Sequence, residues 1–140
     1  MIDFDDSDRT PILLNPAKRI ELLTRGQNLF NEEKFFEAHE AWEELWHVEQ
    51  GRDRTFVQGL IQVAGHLVHI QKSNWSGAAS LAQSAFQKFH LPPSHRLYRE
   101  LDLAPLLAAL DFNVELLNKM LSKSSTTPPE SFLFPKLFEK

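Results

Sequence analysis

Residues 55–71 read TFVQGLIQVAGHLVHIQ and contain no Lys, Arg, Asp or Glu. Within them Phe56, Leu60, Val63, Ala64, Leu67 and Ile70 recur at three- and four-residue spacing, the period of an α-helix. Val57, Ile61 and Val68 widen that stripe, and the remaining arc holds Gln58, Gly59, Gln62, Gly65, His66 and His69. A surface helix of this length ordinarily carries several charges on its outer face. A helix without them, running from about residue 53 to 73 with Asp53 as its N-cap, is expected at the centre of the molecule. Its glycines permit close approach of a neighbouring helix or of a ligand.

The flanking sequence reads as further helices. Asn15-Pro16 is an N-cap followed by proline at the first helical position, and Ile20, Leu23, Leu29 and Phe30 trace a helix ending near Asn31. From about residue 34 to 50, Phe35, Ala38, Trp42, Leu45 and Trp46 share one face, with His39 in its middle, Glu43 at its edge and Gly51 as the C′ residue. A fourth helix follows Asn74-Trp75-Ser76 and stops at Leu91-Pro92-Pro93. Residues 95–102 form a charged connector. A fifth helix spans about 104–122, with Leu106, Leu107, Leu110, Val114, Leu117 and Leu121 as its buried stripe. After a linker at 124–129, the segment 132–138 is too apolar to float free. Phe132, Phe134 and Phe138 are expected to dock on the bundle or on the second subunit of a homodimer. The fold class is all-α: one domain over 1–140, a bundle of about five helices with short antiparallel connections. Its helical core covers about 15–123, between an acidic arm at 1–14 and an apolar arm at 124–140.

Composition narrows the function classes. The 140 residues carry 15 Lys+Arg against 19 Asp+Glu, net charge −4, with no basic block, so no nucleic-acid partner is expected. The absence of cysteine excludes a disulfide scaffold, a zinc ribbon, Fe–S ligation and thiol catalysis. No window reaches membrane-spanning hydrophobicity, and residues 1–8 hold four Asp rather than a signal-peptide core, so a cytoplasmic location without a membrane partner is expected.

The residues able to carry chemistry lie on the second and third helices. His39 and Glu43 are neighbours on one helix face, and Gln58, Gln62 and His69 fall on one stripe of the next. Two imidazoles, a carboxylate and two amides converge if those helices pack together. One reading is a metal site, with His39, Glu43 and His69 as ligands to zinc, iron or manganese and His39 and Glu43 as the catalytic groups. Gln58, Gln62, Trp42 and Trp46 would then contact an unknown small-molecule substrate. The alternative is a non-enzymatic binding or assembly module in which the same residues form a buried polar network. His66 sits nearer the apolar stripe and reads as a core or interface histidine. His39-Glu40-Ala41-Trp42-Glu43 begins like a zincin motif, but Glu43 stands where the second His is required. Glu44-x-x-His47 occurs once, whereas a di-iron bundle needs it twice.

Phe30-Asn31, the run 35–40, Trp42-Glu43, Trp46, the run 58–62, His69, Asn74 and Gly77-Ala78 together resemble the domain of unknown function 309 family. The resemblance covers roughly residues 26–90. It implies an all-α bundle in a family often labelled predicted metal-dependent hydrolases, with His39, Glu40, Glu43, Gln58, Gln62 and His69 at signature positions. This chain departs from the family pattern at His47, where Arg is usual, at Val68, and at Ser73, where glycine is common.

Overall fold

The computed structural model describes residues 15–123 and 127–140; the expected acidic arm at 1–14 and positions 124–126 of the expected linker lie outside the described residues. In chain order the elements are α1 (Pro16–Asn31), α2 (Phe35–Val48), α3 (Gly51–Gln71), α4 (Trp75–Lys88), the one-turn α5 (Arg96–Arg99), α6 (Ala104–Lys123) and a 3-10 turn at Pro129–Ser131. Among the described residues there is no strand, only an isolated antiparallel bridge between Leu101 and Glu139. The all-α bundle read from the sequence is the observed class. The connector at 95–102 contains the additional helix α5.

Two of the inter-helix turns are built alike. Glu33 (φ 62) and Ser73 (φ 58) adopt the left-handed conformation after α1 and α3. In each, the next residue's N–H returns to a helix carbonyl, Lys34 to Leu29 and Asn74 to His69. This is the Schellman arrangement, in which the left-handed position favours glycine.

The corner between α2 and α3 differs from the sequence reading. Gly51 does not close α2; it is the first residue of α3, at φ 59. Glu49 ends α2 instead and is buried, its carboxylate held by Arg19 Nε at 2.8 Å and by the Tyr98 hydroxyl. Asp53 is not the N-cap, a position taken by Gln50. It lies in the first turn, where its Oδ1 accepts the backbone N–H groups of Ser94 (2.6 Å) and His95 (3.1 Å) and so ties the connector to α3.

Helix α3 packs on both α2 and α4, α1 packs on α2, and α6 packs on α4. Phe56, Val57, Leu60, Val63, Ala64 and Leu67 of α3 share one core with Phe30, Phe35, Trp42 and Leu45. The close fit of α1 on α2 depends on Gly26, where an added Cβ would overlap the Trp42 indole. Trp42 is fully buried there, its Nε1 donating to the Leu23 carbonyl at 3.3 Å.

The C-terminal arm docks within the chain. Asn113 bonds both the N–H and the carbonyl of Leu133, and Asn31 does the same for Leu137. Each side-chain amide thereby stands in for the paired backbone of an adjacent strand. Phe132 is buried against Trp75, and Phe134 stacks on Phe35. Phe138, expected to dock, is 58% exposed, because Leu137 enters the core and successive side chains of an extended segment point opposite ways. Leu121, expected in the stripe of α6, is also exposed, in the last turn of the helix.

Gly26→Ala should therefore destabilise the protein by about 1–3 kcal/mol through overpacking. Urea unfolding followed by Trp fluorescence measures this, and a midpoint equal to that of the parent would contradict the described α1–α2 contact.

Candidate functional site

The second stripe of α3, offset from its core stripe, faces a cavity of about 270 Å³ between α2, α3 and α4. Ile61, Gln62, Gly65, Val68 and His69 come from this stripe, with Lys72 just beyond the end of the helix. Phe36 and His39 of α2 form the facing wall, and Leu81 of α4 completes it. Gly65 keeps the space open, since a Cβ there would lie 2.9 Å from Leu81 Cδ1. The walls are mainly apolar, with a few polar groups among them, as in small-molecule sites generally.

Of the residues singled out in the sequence, His39, Gln62 and His69 meet in this cavity. His39 occupies a flank of α2 rather than the middle of its buried face, which is taken by Phe35, Ala38, Trp42 and Leu45. Its Nε2 lies 3.9 Å from Glu43 Oε2, and the Glu43 side chain is 51% exposed. Gln58 is half-buried on α3 and outside the cavity wall. Trp42 belongs to the core. Trp46 is half-buried under the Arg54 guanidinium, 3.8 Å from its ring, and does not line the cavity. Lys72 and Leu81 were not singled out as site residues. The signal for the α3 wall was the second uncharged stripe 61/62–65–68/69, but only the packing of α4 brings Leu81 to it.

Two polar atoms in this region are buried without a partner, His39 Nδ1 and Gln62 Oε1. An unpaired buried polar atom costs about 1–3 kcal/mol. His69 is held differently. Asn74 Oδ1 accepts from Gly77 N as the cap of α4, so its Nδ2 faces His69 Nδ1 at 2.9 Å as the donor. His69 Nδ1 therefore accepts, and the proton of the neutral ring sits on Nε2.

A metal fits this arrangement poorly. Among the described residues no three His, Asp or Glu side chains are grouped so that they could hold a metal ion, so His39, Glu43 and His69 do not form a ready ligand set.

His66, one helical turn from the cavity residues, has no free valence. Its Nδ1–H donates to Ala78 O at 2.8 Å and its Nε2 faces Asn113 Nδ2 at 3.2 Å. It joins α3 to α4, to α6 and, through Asn113, to the C-terminal arm. Burial is the main reason its pKa is lowered to about 4, partly opposed by the Ala78 hydrogen bond. The unfolded chain takes up this proton near pH 6.5 and the folded chain only near 4. Stability from neutral His66 is thus complete above pH 6.5 and drains as pH falls from there towards 4, by roughly 3 kcal/mol in all. An NMR titration should find His66 neutral in the folded protein at pH 5.5, with stability to urea lower there than at pH 7.5. A folded-state midpoint near 6.5 would refute the assignment.

Residues 23–81 match the model of the family described as Domain of unknown function (DUF309), which has no known function. The match covers less than half of the chain yet includes every residue of the cavity wall. No curated protein matches the chain. Among the described residues no helix is long and apolar enough to cross a membrane.

Proposed function

We propose that this chain is a small-molecule binding protein whose site is the cavity between α2, α3 and α4. The observation that supports this reading is the meeting of His39, Gln62 and His69 in one apolar-walled space, with two buried polar atoms unpaired. A polar network serving only the fold would be expected to pair its members, as His66 and Asn113 are paired. The volume lies just below the ~300–1,000 Å³ of drug-sized sites.

A second reading, hydrolysis of the bound molecule, is favoured by the His39–Glu43 pair. Carboxylate-supported imidazoles act as bases in acyl-transfer sites, and here the carboxylate lies 3.9 Å from the ring. This version needs no metal.

A fragment screen by amide NMR tests the binding reading. Fragments that bind should shift Gln62, Gly65 and His69, and Gly65→Leu should abolish the shifts while leaving the circular dichroism of the helices intact. Hits mapping only to a separate groove, lined by Phe89, Leu91 and Leu107 among others, would contradict it. Turnover of p-nitrophenyl acetate that falls in Glu43→Gln, with fragment binding unchanged, would select the hydrolytic version. Stoichiometric zinc or manganese uptake that perturbs His39 and His69 would select a metal-dependent one.

A further inference from the structure

The last turn of α3 gives the cavity a polar end. His69 and Lys72, three residues apart where the helix stops, lie side by side on its wall. The Asn74 amide donates to His69 Nδ1, so the ring nitrogen left for a ligand is Nε2–H, a donor. In a chain of net charge −4, Lys72 is the one Lys, Arg, Asp or Glu on the cavity wall. Its ammonium is exposed, and among the described residues no carboxylate pairs with it. Glu43 stands outside the wall, half exposed, with its Oε2 3.9 Å from His39 Nε2. Gln62 buries its Oε1, so the part of that amide a ligand can reach is the NH₂, again a donor. From His69 the wall runs back through Gly65 to Ile61 at four-residue spacing, over about 12 Å of helix.

From these groups we infer that the cavity takes a small organic carboxylate, an acid whose apolar body is about one ring in size. The inference rests on reading the cavity as a ligand site and names the class of its ligand. One carboxylate oxygen accepts from His69 Nε2–H and the other from the Lys72 ammonium, a charge-assisted hydrogen bond. The apolar body packs among Phe36, Ile61, Val68 and Leu81. An ammonium head group would meet a like charge and further donors. A ketone offers a single oxygen and leaves the Lys72 charge unpaired. A phosphoryl dianion carries more charge than one lysine offsets, and apolar walls do not replace the water it gives up. Specificity of this kind comes from polar groups that only one ligand leaves satisfied.

Benzoate, acetophenone, benzylammonium and phenylphosphonate share one apolar ring and differ in the head group. Their affinities at pH 8 and low salt, measured by amide NMR on the full chain, test the inference. Benzoate should bind at least about tenfold more tightly than acetophenone or benzylammonium, shifting Gly65 and His69. Lys72→Met keeps the stem of an exposed side chain and removes its charge. It should weaken benzoate about fivefold and leave acetophenone unchanged, with thermal unfolding confirming the fold. Acetophenone or benzylammonium binding as tightly as benzoate, or benzoate indifferent to Lys72→Met, would overturn the carboxylate assignment and leave the cavity as a ligand site. Phenylphosphonate binding more tightly than benzoate would overturn it in favour of a phosphoryl head group. Failure of all four probes to perturb the cavity would overturn the assignment too, and the fragment screen then decides separately whether the cavity binds anything.

Discussion

Because residues 55–71 carry no charged side chain, α3 gains little from water on any face, and its stability depends on how completely the other elements cover it. Helices α2 and α4 cover most of it. The one-turn α5 is tied to its first turn through Asp53. Helix α6 reaches it through Asn113, which bonds His66 on one side and the arm at Leu133 on the other. The arm therefore belongs to the same construction: it closes over the bundle where two asparagine side chains offer it the hydrogen bonds of a missing strand.

Covering an uncharged helix leaves its polar side chains to be matched one by one. His66 is matched fully, and burial keeps it neutral. His69 is matched on one nitrogen by the cap of the next helix. Gln62 Oε1 and His39 Nδ1 are not matched, and both residues line the cavity that also contains His69. In a low-dielectric interior this difference matters, because an unpaired polar atom there is costly. His66 and His39, two histidines in one small bundle, differ in that the first is hydrogen-bonded through both ring nitrogens and the second leaves Nδ1 without a partner.

Much of this was legible in the residue order. The 3.6-residue period and the Asn15-Pro16 and Asn74 caps delimit the helices, and the missing charges mark α3 as central. His39, Gln62 and His69 were legible as a convergent set because spacing along two adjacent helices determines which residues share a face. Gly51 and Asp53 were misread for a common reason: a buried Glu49 paired with Arg19, and a carboxylate capping a distant connector, are tertiary choices invisible in local sequence. Gln58, Trp42 and Trp46 fall outside the cavity because face-sharing is coarser than the rotation of one helix on another. Phe138 points outward because the arm is extended, with a two-residue period.

The proton positions on His66 and His69 test the packing around α3 most directly, and long-range ¹⁵N NMR of the imidazoles at pH 8 reads them. The hydrogen-bond geometry requires the proton on Nδ1 of His66 and on Nε2 of neutral His69. A proton on Nε2 of His66 or on Nδ1 of His69 would contradict the described covering of α3 by α4 and α6.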